Sequence, residues 1–254
     1  MTEPKIYPVS EVFTSPQGEG NFAGAMMTFI RLAGCSVGKP YPKERYQPRE
    51  EQTWVGLEDM PAEFPIYVEQ CHTWDGRGFP CDTDYRVKER LTCNQIIEQV
   101  PDDVEHICIT GGEPFIHNLV PLAMTAFDNK KEIHIETSGT VPLKKAFPTT
   151  DARVSHSIQA DIWITVAPKL GLLTEMVERA NEIKILVDEQ FDPEKLPLSV
   201  LRHPLVYLMA INYEFRVKPD NMKLVMKWHQ EFPKWRIGLQ LHKVLEQYIG
   251  EHVR

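Results

Sequence analysis

The sequence predicts an α/β fold: a partial, open (β/α)6-type barrel with a long insertion near its start. Three observations carry this. Apolar runs of strand length alternate with segments whose apolar residues recur at helical spacing, the pattern of parallel βαβ units. The six or seven strand candidates are too few to close an eight-stranded barrel. Several of these runs lead directly into polar or glycine-containing motifs, as expected of the carboxyl-terminal strand ends where sites of such folds collect.

The first run, residues 26–33 (MMTFIRLA), ends at Gly34-Cys35. Further strands are expected at 105–110, 132–137, 161–167, 182–187, 205–211 and 235–241. Thr92, with Gln95 three residues on, forms a capping-box pattern before Ile96, Ile97 and Val100. Residues 119–127, 173–180 and 221–232 also carry helical spacing. On this layout Cys35, Gly111 to Glu113, Glu136 to Ser138 and Pro168-Lys169 each follow a strand and converge on one rim. Residues 37–80 differ: six prolines, many charges and little periodicity mark an inserted region. It is expected to be mostly loop, with a short hairpin around 53–57 and 66–69, and long enough to serve a function. The whole chain, 1–254, otherwise reads as a single domain.

With 28 basic and 36 acidic residues the net charge is −8, which argues against a direct nucleic-acid partner. No apolar run approaches bilayer length, so no membrane partner is expected. The start, Met1-Thr2-Glu3-Pro4-Lys5, lacks the basic and apolar regions of a secretory signal. A cytoplasmic location, where thiols stay reduced, follows as the expectation. Five cysteines cannot all pair within one chain. Cys93 and Cys108 fall in apolar patterns and read as core. Cys35, Cys71 and Cys81 instead sit beside Gly, Pro, Asp and His in loop-like sequence. Three thiolates suit a soft metal or an iron–sulfur cluster with one open iron. Taken alone, scattered cysteines are more often core residues, and a zinc site through Cys71, His72 and Cys81 is a further alternative.

The motifs follow one another as Phe13-Thr14-Ser15-Pro16-Gln17-Gly18-Glu19-Gly20, then Phe29-Ile30-Arg31-Leu32-Ala33-Gly34-Cys35 and Cys81-Asp82-Thr83. Thr110-Gly111-Gly112-Glu113-Pro114, Glu136-Thr137-Ser138-Gly139-Thr140 and Ala167-Pro168-Lys169 come next, then Glu182-Ile183-Lys184 and Gln240-Leu241-His242-Lys243. In this order they resemble the radical S-adenosylmethionine superfamily and, within it, the 7-carboxy-7-deazaguanine synthase family. The chain departs from that pattern twice. The superfamily spaces its cluster cysteines as C-x3-C-x2-C, whereas 35 residues separate Cys35 from Cys71 and 9 separate Cys71 from Cys81. Loop closure costs only about 0.6 kcal/mol per doubling of length, so the three sulfurs can still meet. Met209 stands where the family commonly has a Gln.

The resemblance implies a 4Fe–4S cluster on Cys35, Cys71 and Cys81, with S-adenosylmethionine chelating the open iron. A radical derived from that cofactor takes hydrogen from 6-carboxy-5,6,7,8-tetrahydropterin. The ring then contracts with loss of ammonia to 7-carboxy-7-deazaguanine, and no side chain serves as acid or base catalyst. The cofactor contacts implied are Gly111, Gly112, Glu113, Glu136, Ser138, Ala167, Pro168, Lys169 and Asp82. Thr83 is the implied ligand of Mg2+. The implied substrate contacts are Gln17, Gly18, Glu19, Thr110 and Arg31, whose guanidinium fork suits the pterin carboxylate. His242 is placed near the substrate without a catalytic role. An electron donor such as a flavodoxin or ferredoxin, and a homodimer, are also implied. Plainer roles compete at several positions: a strand-to-helix turn at Gly111-Gly112, a loop cap at Asp82, a solvated lysine at Lys169. Two other functions compete with the whole reading: an activase of a glycyl-radical enzyme, and a non-enzymatic, zinc-stabilised interaction module.

Overall fold

A computed structural model describes residues 4–38, 69–81, 83, 86–148, 160–212 and 218–249. The described residues form one nine-stranded mixed sheet with helices packed on it and a separate two-stranded hairpin. The strands are β1 (Ile6–Pro16), β2 (Met26–Leu32), β3 (Glu69–His72), β4 (Gly78–Cys81), β5 (Glu89–Thr92), β6 (His106–Gly111), β7 (Glu132–Thr137), β8 (Ile162–Val166), β9 (Glu182–Val187), β10 (Val206–Ala210) and β11 (Arg236–Gly238). Their order in the sheet is β11-β10-β9-β8-β7-β6-β2-β1-β5, with β3 and β4 forming the hairpin. From β2 through β11 every neighbour in the large sheet is parallel.

The expected parallel strands are present, but two strands of the sheet lie outside that expectation. β1 and β5 extend the parallel set as an antiparallel edge. The link between β1 and β2 is too short for a parallel crossover, which takes a dozen or more residues, so the pair runs antiparallel. The last strand is also shorter than 235–241: it stops at Gly238, and Leu241–Ile249 is helical. The capping box forms as expected, Thr92 accepting from Gln95 N and the Gln95 side chain accepting from Thr92 N.

Around Cys71 and Cys81, read above as loop-like sequence, the structure forms strand instead. Glu69–His72 and Gly78–Cys81 pair antiparallel, so Cys71 and Cys81 lie on strands. The hairpin expected at 53–57 lies outside the described residues, as does most of the 66–69 segment.

The two faces of the large sheet differ. One carries the core: Ile107, Ile109, Ile133, Ile135, Ile183 and Ile185 are all 0–1 % exposed and pack with helix residues such as Leu122, Met176 and Val225. Residues of the opposite parity form the other face. Near the strand starts it holds Met27, Phe29 and Cys108 with Phe13 and Phe22, and beyond them His106, His134 and Trp163. Towards the strand ends the same face turns polar, with Arg31, Thr110, Glu136 and Lys184. Burial, with the neighbouring His106, lowers the His134 pKa to about 4.

Candidate active site

Two sets of predicted residues gather at the carboxyl ends of the parallel strands. The first surrounds Cys35. Gly112 N and Glu113 N donate to Leu32 O (3.3 Å) and Gly34 O (3.0 Å), so the Gly-Gly-Glu segment is zipped to the strand end that carries Cys35. Both glycines are required by this contact. Gly111 sits at φ +119°, where a Cβ would lie 2.2 Å from Leu32 O, and a Cβ at Gly112 would lie 2.0 Å from Gly34 O and 2.9 Å from Cys35 Cβ. The Cys35 sulfur accepts from Val37 N (3.4 Å) and Gly38 N (3.2 Å). Burial raises the Cys35 thiol above its ordinary value, the two N–H bonds partly offset this, and the charges of Cys71 and Glu113 add to the rise.

Cys71 is buried, and Cys71 and Cys81 lie on one face of the hairpin ladder: Cys71 pairs with Phe79, two residues before Cys81. Such diagonal neighbours lie about 7–8 Å apart. The hairpin turn docks onto the rim through Arg77, whose Nε donates to Asp75 (2.9 and 2.8 Å) and whose Nη1 donates to Asp188 just beyond β9. Lys169 is 8 % exposed, with its ammonium 4.8 Å from the centroid of the Phe79 ring. The solvated-lysine reading is thereby corrected: Lys169 packs against the hairpin, and Ala167 N, two residues before it, donates to Thr137 O (2.9 Å). Asp82 lies outside the described residues; Thr83 lies within them, and its carbonyl accepts from the Cys81 sulfur (3.9 Å).

Glu113 is fully buried. Its Oε1 accepts from Phe115 N (3.0 Å) and Thr137 Oγ1 (2.7 Å), and its Oε2 from Ser138 N (2.8 Å) and Ser138 Oγ. The carboxylate therefore brackets the ends of β6 and β7. An ammonium arriving there would share an oxygen or displace a donor, because all four acceptor positions are in use.

The second set is a buried polar network. Lys184 Nζ donates to Glu19 Oε2 (2.6 Å) and Glu136 Oε1 (2.9 Å). Glu136 also accepts from Thr110 Oγ1 (3.2 Å) and Gln17 Nε2 (3.5 Å), and Glu19 Oε1 accepts from Gln240 Nε2 (2.9 Å). Burial alone would raise the Glu19 carboxyl; the Lys184 charge and hydrogen bond, with Gln240, hold it below its ordinary value. Burial would lower Lys184, yet Glu136 and Glu19 together hold its ammonium well above the usual range. Gly18 O accepts from Leu241 N (2.8 Å), and the His242 ring packs against Gly18, so the helix Leu241–Ile249 closes this end of the network. Arg31 lies opposite Thr110 in the ladder, pairs with Glu11 (3.3 Å) and stands 5.0 Å over the Phe13 ring.

Glu136 thus groups with Gln17, Glu19 and Thr110 rather than with Ser138 and Glu113. Lys184 and Gln240, quoted within motifs but given no role, prove central. The signal for Lys184 was a lysine inside the apolar run Ile183-Lys184-Ile185-Leu186-Val187, where an unpaired ammonium is costly.

Comparison with known proteins gives the same direction. No protein-family model matches the chain. The 7-carboxy-7-deazaguanine synthase of Escherichia coli (strain K12) is 32 % identical over 247 residues, 94 % of this chain and 98 % of that protein. The chain belongs to the 7-carboxy-7-deazaguanine synthase family. A synthase of that name from Synechocystis sp. is 28 % identical over 94 % of this chain and 92 % of its own length. The crystal structure of QueE from Escherichia coli matches with a TM-score of 0.59 at 29 % identity, covering 92 % of this chain and 93 % of that one. The chain is therefore an enzyme of this type. The non-enzymatic zinc-module reading falls with that assignment.

Proposed function

We propose that this enzyme converts 6-carboxy-5,6,7,8-tetrahydropterin into 7-carboxy-7-deazaguanine with loss of ammonia, in 7-deazapurine biosynthesis. The observation that carries the reading is the network of Gln17, Glu19, Thr110, Glu136 and Lys184 at the same strand ends as Cys35.

Cys35, Cys71 and Cys81 would hold the cluster. The donor set fits: three thiols with no disulfide among them, one on a strand end and two on a single face of a hairpin docked over that rim. When bound, the cluster and S-adenosylmethionine supply the radical that starts the rearrangement. The chain binds and orients. Lys169 lies against the hairpin, with Ala167 and Pro168 before it in the chain, while Gly111, Gly112 and Glu113 form the turn beside Cys35 and Ser138 donates to Glu113; both groups would line the cofactor. Asp82 would join them from the chain beyond Cys81. Arg31 offers a guanidinium to the substrate carboxylate. Gln17, the Gly18 backbone and Glu19 offer amide, carbonyl and carboxylate groups to the aminopyrimidinone edge, and Thr110 a hydroxyl. Lys184 holds the Glu19 carboxyl below its ordinary value and fixes both Glu19 and Glu136 in place.

The finer parts of the reading are that the sheet curls as a partial barrel, that 1–254 forms one domain carrying 37–80 as an insert, and that Thr83 holds Mg2+. A flavodoxin- or ferredoxin-type electron donor, a homodimer and a cytoplasmic location complete it; no helix among the described residues is long and apolar enough to cross a membrane.

Anaerobic reconstitution with iron and sulfide, followed by turnover of the pterin with S-adenosylmethionine, tests the proposal. Formation of 7-carboxy-7-deazaguanine, with loss of both cluster and turnover in Cys71→Ala, is the expected result. A reconstituted protein that leaves the pterin unchanged, or a Cys71→Ala variant that keeps cluster and turnover, overturns it.

A further inference from the structure

At the opposite end of the sheet from this site, three metal-ligating side chains converge. β6 and β7 run parallel with His106 opposite Glu132, and side chains two apart on a strand share a face, which brings His134 to the same place. His134 Nε2 lies 3.2 Å from His106 Nδ1, and Glu132 Oε2 lies 3.2 Å from that same Nδ1. The three ligand atoms all lie within 4.8 Å of one another.

We propose that His106, Glu132 and His134 form a binding site for a first-row divalent transition metal, zinc in the first instance, distinct from the cysteine centre. Two imidazoles and one carboxylate are the donor set of borderline cations rather than of Mg2+ or Ca2+. Metal–nitrogen bonds of about 2.0–2.1 Å in a tetrahedron place neighbouring ligand atoms about 3.3–3.4 Å apart. Two of the three edges here, at 3.2 Å, are close to that length. Hydrogen bonding alone serves the cluster poorly. If His106 Nδ1 carries a proton, one N–H must serve both the carboxylate and the other imidazole; if it does not, it faces the carboxylate lone pair to lone pair. A cation satisfies all three at once.

The surroundings fit a held ion with an open position. Phe22 closes one side, its ring meeting His134 edge-on at 4.4 Å and Trp163 at 4.9 Å. Trp163 stands opposite His134 in the next strand, and its buried indole N–H has no partner among the described residues. That N–H is an unused donor beside the cluster. The Glu132 side chain is 65 % exposed, and a cavity of about 450 Å³ bordered by Glu132, His134 and Trp163 offers a route in. Bound there, the metal would pin β6 to β7 at the end where they enter the sheet.

The test uses cluster-loaded protein prepared anaerobically, so that the cysteines are occupied, then equilibrated with zinc and desalted. Metal analysis is expected to find one zinc per chain. Zinc-edge X-ray absorption should show a nitrogen and oxygen shell without sulfur. The His106→Ala/Glu132→Ala variant should lose the zinc. Glu132→Gln alone, which changes only an exposed side chain, should weaken zinc binding about ten- to hundredfold in a chelator competition, the scale that even outer-shell partners carry. Zinc well below one per chain, a shell containing sulfur, or binding undiminished in both variants overturns the proposal.

Discussion

Lys184 in β9 reaches Glu19, 165 positions earlier in the chain, at 2.6 Å, and Glu136 in β7 at 2.9 Å. One ammonium, 7 % exposed, therefore ties the turn after β1 to the centre of the sheet. Lys184→Met removes that charge and leaves two carboxylates facing each other with little water. A loss of about 3–5 kcal/mol is expected in chemical denaturation, the cost of breaking a buried pair from one side. Pterin turnover should fall with it. A variant unfolding within about 1 kcal/mol of the wild type would show that the network contributes little.

The same network sets an acid limit. Glu19 is held below its ordinary value of 4.5, so the folded state binds this proton less readily than the unfolded chain does. The stability this supplies is complete above that value and is lost as pH falls below it. Thermal denaturation followed from neutral to acid pH should show the loss, and Glu19→Gln, less stable at neutral pH, should show a shallower acid decline.

Gly112→Ala places a Cβ 2.0 Å from Gly34 O, a backbone atom that can yield only by moving the segment carrying Cys35. We expect destabilisation of about 1–3 kcal/mol or more from overpacking. Iron content after reconstitution should fall with it. Full iron loading of this variant would separate the glycine from the cysteine site.

Arg31 and Glu11 are both about a quarter exposed, so their ion pair contributes little to folding. Arg31→Met should leave stability within about 1 kcal/mol. It should raise KM for the pterin about 10- to 100-fold, because a charge-assisted hydrogen bond contributes about 1.5–3 kcal/mol. An unchanged KM would remove Arg31 from the substrate contacts.

Arg77 clamps the cysteine hairpin through Asp75 and Asp188. Arg77→Met should speed hydrogen exchange across residues 69–81 and lower iron retention, while exchange in β6 to β9 stays as in the wild type. Exchange in the hairpin equal to that of the wild type would show that other contacts hold it.

The parallel strands were legible because each carries apolar residues at strand spacing for the core face, a local property that needs no partner to be seen. The runs at 132–137 and 182–187 match β7 and β9 end to end. The motifs at the strand ends were legible for the same reason: a glycine pair, or a cysteine closing a strand, is written in consecutive letters. β1 was hidden by its own chemistry, since Pro8, Ser10, Glu11 and Thr14 interrupt its apolar pattern. Local pattern also says nothing about which polar residues meet. Glu136 joins Lys184 rather than Ser138, Arg31 finds Glu11, and two cysteines from loop-like sequence share one face of a hairpin. These pairings depend on the register between strands distant in the chain and on the need of each buried charge for a partner. Consecutive residues therefore determined the elements and the family resemblance, whereas packing in three dimensions decided which side chains share a charge.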